Sequence, residues 1–327
     1  MEDEKILEVK NLVTSFKTER GIMKAVDGVS FFVKKGEMLG IVGESGCGKS
    51  VTSQSILRLY DEKYLAKITG EVLMEETDLL KLPMRQMQKI RGDKISMVFQ
   101  DALSALNPVM TVGDQITETI RIHQKISAKE AREKALEIMR LVGIPAYEER
   151  FCEYPHQLSG GMRQRIMIAI ALSCEPRVLI ADEPTTALDV TIQAQIMDLM
   201  VDLNRKLGMS VMLITHDLAV VAETCSRVIV MYLGQIVEEA LVKDIFENPA
   251  HPYTRGMMNS IPRLEEENRE RLYVIKGTVP LLSQIPKGCR FAPRCPNATQ
   301  KCREQMPGLV PFGEDHNVRC WYPGQKG

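Results

Sequence analysis

The chain has 327 residues, of which 44% are hydrophobic and 26% charged, and its formal net charge is −1. A near-neutral chain without a basic stripe is not expected to bind nucleic acid, and no stretch reaches the roughly 18 consecutive apolar residues of a membrane span. The acidic N-terminus lacks the apolar core of a secretory signal. We therefore expect a cytoplasmic protein whose eight cysteines are reduced thiols or metal ligands.

The N-terminal part of the chain has the pattern of β-strands. Ile6–Val9 and Val29–Val33 lie in a region of alternating apolar and polar residues and are predicted as antiparallel strands. Met38–Val42 is apolar throughout, which is typical of a strand buried on both faces. Helical periodicity begins after Lys49.

A mostly helical insert is predicted from about residue 101 to residue 172. Within it, Ala128–Leu141 has charged and apolar residues at helical spacing and follows Ser127, a typical N-cap. Short apolar strands are predicted after the insert, at 177–181 and 210–215. Strands that alternate with helices indicate a parallel, helix-covered sheet of the α/β class.

The character of the chain changes again near residue 245. Proline-containing dipeptides interrupt the pattern beyond this point, and four of the eight cysteines fall between residues 289 and 320. We therefore predict an α/β domain over residues 1–245 and a small, irregular, cysteine-containing C-terminal domain over residues 246–327.

A glycine-rich segment joins the buried strand to the helix that follows it. It fits the pattern G-x-x-x-x-G-K-S and consists of Gly43, Glu44, Ser45, Gly46, Cys47, Gly48, Lys49 and Ser50. Glycines allow the backbone to curl so that its N–H groups point at phosphate oxygens, while the lysine ammonium attracts the β- and γ-phosphates. The serine hydroxyl is a candidate magnesium ligand, and the helix N-terminus favours an anion.

Two carboxylates follow the strand that is predicted at residues 177–181. Asp182 stands at the end of the strand and is a candidate magnesium ligand, as phosphoryl-transfer enzymes require. Glu183 comes one residue later and could orient or deprotonate an attacking water. Taken alone, such a pair is usually a solvated turn. The phosphate loop upstream favours the functional interpretation.

A third motif identifies the family. Residues 158–165, Leu-Ser-Gly-Gly-Met-Arg-Gln-Arg, resemble the LSGGQ-type signature of ABC ATPases. The order of the motifs along the chain also matches that family. The motifs occur in the order phosphate loop, Gln100, signature, Asp182–Glu183, Asp189 and His216. Over about residues 5–245 the chain is identified as a member of the ABC ATPase family. The resemblance implies a P-loop cassette with a mixed sheet, an antiparallel β part and a helical subdomain at about 101–172.

The resemblance implies roles for the residues around the phosphates. ATP is the implied cofactor, and the implied Mg2+ ligands are Ser50, Gln100 and Asp182. Glu183 and His216 are the implied catalytic residues, because in the family the histidine contacts the γ-phosphate.

The resemblance also implies a second cassette packed head to tail. Ser159, Gly160 and Gly161 of one cassette would close over the ATP held by the phosphate loop of the other, and Asp189 would contact the partner. Phe16 is a candidate for stacking on the adenine ring, although an aromatic residue beside a strand is more often part of the core.

The segment after residue 245 resembles one branch of the family. Residues 248–254 and 288–296 resemble the extension of dipeptide and oligopeptide importers, and nickel and glutathione importers share parts of it. The resemblance implies an ATPase subunit at the cytoplasmic face of the membrane. Its implied partners are a second cassette, two transmembrane permease subunits and an external substrate-binding protein. A nickel or glutathione importer, or an ABC ATPase without a transport function, stays as an alternative.

Four cysteines of the extension form a candidate metal site. They are Cys289, Cys295, Cys302 and Cys320. Zinc sites usually pair cysteines at closer spacing, so the looser spacing favours a 4Fe-4S cluster held by four thiolates, with a zinc site or no metal as alternatives. Three arginines beside these cysteines could balance the charge of such a cluster, and they are Arg290, Arg294 and Arg319.

Overall fold

The structure, a computed structural model, describes residues 4–19, 21–63, 65–186, 188–261 and 273–324. The strands are β1 (Lys5–Thr18), β2 (Gly21–Lys34), β3 (Met38–Val42), β4 (Ala66–Met74), β5 (Thr77–Asp78), β6 (Ile95–Val98), β7 (Val178–Asp182), β8 (Ser210–Thr215), β9 (Arg227–Tyr232), β10 (Gln235–Leu241), β11 (Val310–Gly313) and β12 (His316–Val318).

The helices are α1 (Lys49–Ile56), α2 (Met84–Ile90), α3 (Ala102–Ala105), α4 (Val112–His123), α5 (Ala128–Leu141), α6 (Tyr147–Arg150), α7 (Gly160–Leu172), α8 (Val190–Leu207), α9 (Leu218–Thr224), α10 (Val242–Glu247), α11 (Pro252–Asn259) and α12 (Gln300–Glu304). Two 3-10 turns lie at Pro155–Gln157 and Leu282–Gln284. Within the described ranges, no helix combines the length and the apolar character needed to cross a bilayer.

Several sequence predictions coincide with these elements. All five residues of β3 are buried, as expected for a strand covered on both faces. α5 has the predicted bounds, and its start is stabilised by a capping box, in which two residues exchange hydrogen bonds. The Ser127 hydroxyl accepts a hydrogen bond from the Glu130 N–H (3.2 Å), and the Glu130 carboxylate accepts one from the Ser127 N–H (2.8 Å).

The chain divides into two compact units, and each is described by itself. The first unit consists of the residues up to Leu7, Phe32–Met38 and Leu73–Ile214. The second unit consists of Glu8–Phe31, Leu39–Val72 and the residues from Thr215 onward.

The first unit contains a parallel set of strands and a helical segment. β7 pairs in parallel with β6 on one side and with β8 on the other. Residues 101–172, all of them described, form helices and a 3-10 turn but no strand. α7 packs against α3, α4 and α5, and its residues Ile166 and Ile168 are fully buried. The assignment of this segment as a subdomain stays a prediction.

The second unit contains the mixed part of the sheet. β3 runs parallel to β9, whereas β9 pairs antiparallel with β10. β10 also pairs antiparallel with β12, which pairs with β11, so strands near the C-terminus continue the sheet. Val318 lies opposite Glu238 in this pairing. The α/β class is confirmed, whereas a separate C-terminal domain is not confirmed and the boundary near residue 245 stays a prediction.

A buried carboxylate anchors the start of the C-terminal region. Glu238 is fully buried and accepts hydrogen bonds from the N–H groups of Ala250 (2.6 Å) and His251 (2.9 Å) and from Nε2 of His316 (2.7 Å). Burial alone would raise the pKa of the Glu238 carboxyl, but these hydrogen bonds outweigh burial and hold the pKa below its ordinary value. The ionised side chain therefore joins three separate segments of the second unit.

His251 caps α11 from a fully buried position. Its Nδ1 accepts a hydrogen bond from the N–H of Tyr253 at 3.0 Å, so the cap requires an unprotonated Nδ1. Burial lowers the pKa of His251 to about 4, and the charges of Arg255 and Arg319 act in the same direction against the opposing effect of Glu238.

This buried histidine makes the stability of the protein depend on pH. In the unfolded chain His251 takes up a proton at its ordinary pKa of 6.5, whereas the folded protein does not until about pH 4. The stability contribution is present above pH 6.5 and is lost as the pH falls. We expect the wild-type protein to lose about 2 kcal/mol of unfolding free energy through this group between pH 7 and pH 5. Chemical denaturation at both pH values measures the loss.

Substitution isolates the contribution of His251. The variant His251→Asn keeps a capping side chain that does not titrate, so its loss between the two pH values should be smaller than that of the wild type. The exposed His156 provides the control, because His156→Asn should retain the wild-type pH dependence. An unchanged pH dependence in His251→Asn would contradict the assignment.

Candidate nucleotide-binding site

The phosphate loop curls between β3 and α1 in the second unit. Gly43, Gly46 and Gly48 have φ values of 153°, 77° and 100°, a region that residues with a Cβ atom rarely adopt. A Cβ atom on Gly43 would lie 2.3 Å from the carbonyl oxygen of Met231, and one on Gly48 would lie 2.6 Å from that of Ala25. Glycine is therefore required for close backbone approach as well as for the φ angles.

Lys49 begins α1 and turns back into the loop. Its side chain is buried, and Nζ donates hydrogen bonds to the carbonyl oxygens of Gly43 (2.7 Å) and Glu44 (3.3 Å). The Lys49 ammonium group thus lies against the backbone of a glycine-rich loop, and this arrangement suits the binding of a polyphosphate anion.

The two carboxylates lie at the end of β7 in the first unit. Asp182 is buried, whereas Glu183 is half-buried and has a φ of 45°, which costs a non-glycine residue about 1–2 kcal/mol. The N–H of Glu183 donates to the carbonyl of Ile214 at 2.8 Å and holds this conformation. Backbone strain of this kind is concentrated at functional positions.

Two side chains hold the Glu183 carboxylate. Its Oε2 accepts hydrogen bonds from Nε2 of Gln100 and from the hydroxyl of Thr186, each at 3.0 Å. The structure thus brings together Gln100 and Glu183, which are 83 positions apart in sequence. Sequence reasoning missed Thr186, although its position three residues after Glu183 was a usable signal.

The signature residues start α7 in the first unit. Ser159 is the N-cap, and its hydroxyl accepts a hydrogen bond from the N–H of Met162 at 3.4 Å. A Cβ atom on Gly161 would lie 2.8 Å from a methyl group of Ile192, so this glycine allows α7 to pack closely against α8. A Cβ atom on Gly160 would lie 3.5 Å from its nearest neighbour, which is an ordinary van der Waals distance.

Asp189 has a local structural role. It is the N-cap of α8, and its Oδ1 accepts a hydrogen bond from the N–H of Ile192 at 3.0 Å. A contact with a second cassette stays a prediction for this residue.

His216 and the phosphate loop share one cavity of the second unit. The cavity has a volume of about 650 Å³, and its walls include Gly43, Glu44 and His216. Apolar side chains of the C-terminal region, among them Met257 and Ile275, form another part of the wall. His216 itself is exposed and therefore accessible from this cavity.

Phe16 is half-buried near the surface of the second unit. Its ring makes an edge-to-face contact with Tyr60, with the ring centroids 4.9 Å apart and the planes at 86°. Sequence reasoning did not single out Tyr60 as a second aromatic residue here. Adenine stacking on Phe16 stays a prediction.

The prediction of a four-cysteine metal site is wrong. Cys289, Cys295, Cys302 and Cys320 border a cavity of about 20 Å³. Across the part of the chain that the structure describes, however, no group of three or more His, Cys, Asp or Glu side chains is arranged to hold a metal ion. This finding overturns the 4Fe-4S cluster and goes equally against the zinc alternative.

The four thiols are buried or half-buried and have local contacts. Burial raises the pKa of Cys289 and Cys295, and it raises the pKa of Cys320 to about 11. The Cys302 sulfur lies 3.4 Å from the Thr299 hydroxyl oxygen, and the Cys320 sulfur accepts a hydrogen bond from the Tyr322 N–H at 3.4 Å.

The three arginines beside the cysteines have partners elsewhere. Arg290 forms an ion pair with Asp27, and Arg319 donates to two backbone carbonyls. Arg294 donates to both carboxylate oxygens of Glu44 in the phosphate loop, at 2.6 and 3.0 Å. No pattern in the sequence indicated this contact between the extension and the loop.

Comparison with known proteins identifies the family of the chain. The family model for ABC transporters matches residues 26–186, and the model for the oligopeptide/dipeptide transporter C-terminal region matches residues 237–302. Among solved structures, the dimeric post-hydrolysis structure of the ATP-binding cassette MJ0796 bound to ADP and Pi has a TM-score of 0.65 and 32% sequence identity. The match covers 72% of this chain and 98% of that one. The fold and site thus define an ATP-binding cassette.

The curated relatives extend over almost the whole chain. The dipeptide transport ATP-binding protein DppD of Bacillus subtilis is 54% identical over 99% of this chain and 96% of its own length. The oligopeptide transport ATP-binding protein AppD of the same organism is 51% identical over 98% of both chains, and DppD of Haemophilus influenzae is 50% identical over 97% of this chain and 96% of its own. The chain belongs to the ABC transporter family, among the ATP-binding proteins of its peptide transporters.

The close approach of backbone in the phosphate loop predicts unequal effects of alanine at two glycines. Gly43→Ala and Gly46→Ala each place a Cβ atom at positive φ, which costs about 1 kcal/mol. Only at Gly43 does the new atom meet a backbone oxygen, whereas nothing lies within 4 Å at Gly46. We expect Gly43→Ala to lower the unfolding free energy of the nucleotide-free protein by at least about 2 kcal/mol more than Gly46→Ala. Equal losses in denaturant titrations would refute this explanation.

Proposed function

We propose that this chain binds and hydrolyses ATP as the energy-coupling subunit of a peptide importer. The observation that carries the proposal is the Glu183 carboxylate, held by Gln100 and Thr186 directly after a buried aspartate. The peptide branch is supported by relatives that match along nearly the whole chain and are named for dipeptide and oligopeptide transport.

The phosphate loop fits the polyphosphate of ATP. Its glycines allow the curled backbone that a Cβ atom on Gly43 or Gly48 would prevent by meeting the carbonyl oxygen of Met231 or Ala25. We assign the backbone of residues 43–50 to the phosphates, with Lys49 supplying positive charge in exchange for its present carbonyl partners.

A magnesium ion is proposed to bind three oxygen donors. Ser50, Gln100 and Asp182 offer a hydroxyl, an amide and a carboxylate oxygen, the ligand types that Mg2+ prefers. Because Nε2 of Gln100 donates to Glu183, its amide oxygen is the atom that we assign to the cation. When bound, magnesium neutralises charge on the β- and γ-phosphates.

Glu183 is proposed to orient and deprotonate the attacking water. Its carboxylate is already oriented by two hydrogen bonds, so little rearrangement is needed before it accepts a proton. His216 is proposed to donate a hydrogen bond to the γ-phosphate, and its exposure at the cavity of the phosphate loop supports this role.

A second cassette is proposed to complete each site. Ser159, Gly160 and Gly161 present the N-terminus of α7, which favours an anion, and we assign them to the nucleotide of the partner. Asp189 is proposed to contact the partner and Phe16 to stack on adenine. The cassette MJ0796 is dimeric in its solved structures, which supports this assembly.

The chain is proposed to act at the cytoplasmic face of the membrane. Its partners would be two transmembrane permease subunits and an external substrate-binding protein, because the extension matches the C-terminal region of oligopeptide/dipeptide transporters. The names of the relatives favour peptides over nickel or glutathione as the cargo. They also favour import over a function without transport.

The role of Glu183 predicts a specific loss of turnover. Glu183→Gln keeps a side chain of the same size but cannot accept a proton, so kcat for ATP hydrolysis should fall at least about a hundredfold while ATP binding is retained. Phosphate release and nucleotide-binding titrations measure the two quantities. Asp198→Asn, which removes an exposed carboxylate of α8, should leave both unchanged. Wild-type turnover in Glu183→Gln would remove Glu183 from the mechanism.

The cargo is tested by uptake in cells. A strain of the source organism whose own copy carries Glu183→Gln should fail to accumulate a labelled dipeptide or oligopeptide, because hydrolysis no longer drives the transporter. The same strain should take up labelled nickel and glutathione as the wild type does. Loss of nickel or glutathione uptake with normal peptide uptake would replace the peptide assignment.

A further inference from the structure

Glu44 presents an electrostatic problem for the phosphate loop. It is the second residue of the loop, and its side chain is a carboxylate. ATP with its phosphates is strongly negative, so an uncompensated carboxylate in the loop would weaken nucleotide binding by repulsion. A neutralising partner for this side chain therefore bears directly on affinity.

Arg294 of the extension neutralises the Glu44 carboxylate. Its two terminal nitrogens donate to the two carboxylate oxygens at 2.6 and 3.0 Å, which is the bidentate geometry of a strong ion pair. The arginine side chain is only 4% exposed, whereas that of Glu44 is 32% exposed, so solvent and salt reach the pair from the side of the carboxylate. The hydrogen bonds to Glu44 raise the pKa of Arg294 above its ordinary value, against the opposing effect of burial.

Tyr253 of α11 holds the backbone of the same residue. Its hydroxyl oxygen accepts a hydrogen bond from the N–H of Glu44 at 2.8 Å. The tyrosine is fully buried, and its ring packs against those of Tyr232 and Phe291, with centroids 4.7 and 5.4 Å away. Burial raises the pKa of Tyr253, so the hydroxyl stays neutral. A rigid aromatic cluster thus fixes the position of this acceptor.

The contacts surround Glu44 on three sides. Arg294 binds the side chain, Tyr253 binds the N–H, and the carbonyl accepts a hydrogen bond from Lys49. Because Lys49 also binds Gly43, a displacement of Glu44 would change the partners of the phosphate-binding lysine. The extension therefore contacts the side chain and the backbone of a phosphate-loop residue directly.

We propose that Arg294 and Tyr253 are positioning residues of the nucleotide site: they hold Glu44 in place, and Arg294 cancels its charge, so that the loop accepts ATP. This proposal rests on the proposed function, because it requires that the loop bind ATP. It assigns the extension a task in nucleotide binding that is separate from transport partners.

The test measures the affinity of the purified chain for Mg·ATP. Arg294→Gln leaves the Glu44 carboxylate unneutralised and should raise the Kd about tenfold, which corresponds to 1.4 kcal/mol. The loss should become smaller at high salt, because added ions screen the repulsion. In hydrolysis assays the same variant should raise KM while kcat stays within about twofold, since Arg294 does not touch the reacting atoms.

A double variant separates charge from folding. In Arg294→Gln combined with Glu44→Gln no uncompensated carboxylate remains, so most of the lost affinity should return. Tyr253→Phe removes only the acceptor for the Glu44 N–H and should weaken binding by a smaller factor than Arg294→Gln, with the aromatic packing intact.

Arg319→Gln is the matched control. Arg319 is also a partly buried arginine of the extension, but its hydrogen bonds go to the carbonyls of Ile236 and Pro307 and not to the loop. This variant should lower the melting temperature while leaving the Kd for Mg·ATP unchanged.

The outcomes distinguish the two proposals. If the wild type binds ATP and Arg294→Gln binds it within twofold of the wild type, the positioning role is overturned and the proposed function stands. If the double variant binds as weakly as Arg294→Gln, the loss is structural and the charge argument is overturned. If the wild type does not bind ATP at all, the proposed function is overturned and the positioning role with it.

Discussion

The phosphate loop passes closer to neighbouring backbone than any side chain would allow. The positions of the Met231 and Ala25 carbonyl oxygens leave no room for a Cβ atom at Gly43 or Gly48. Gly48 is the N-cap of α1 and Met231 belongs to β9, so these contacts hold the loop against its neighbours within the second unit. The chemistry of the loop therefore depends on a packing constraint, and glycine is the residue that satisfies it.

At Glu183, which follows β7, hydrogen bonds offset the cost of a strained backbone. Glu183 occupies a backbone conformation that is costly for its residue type, and hydrogen bonds to its backbone and carboxylate offset the cost. In the proposed function, this arrangement orients the proton acceptor before the substrate arrives. Gln100 serves both the orientation of Glu183 and, in the proposed function, the cation, so one amide connects the two roles.

Buried polar pairs, rather than metal–thiolate bonds, order the extension in the described structure. Glu238 joins β10 to His316 and to the start of α11, and Arg294 joins the extension to Glu44. Polar pairs with a buried member tolerate little change, because removal of one partner leaves the buried group unpaired. The pairing of β12 with β10 adds backbone hydrogen bonds to the same connection.

The sequence alone determined the fold class, the order of the nucleotide motifs and the family, because each rests on a local pattern: glycine spacing, apolar strands and helix caps. It also determined elements such as β3 and α5, whose burial and capping signals are contained in the segments themselves. Only the tertiary structure decided which partners distant side chains have. Four cysteines within a short stretch suggested a metal site, yet their geometry does not form one, and Arg294 beside them binds Glu44, 250 positions away. Sequence spacing constrains local conformation, whereas the meeting of distant side chains depends on how the whole chain packs, and no local pattern contains that information.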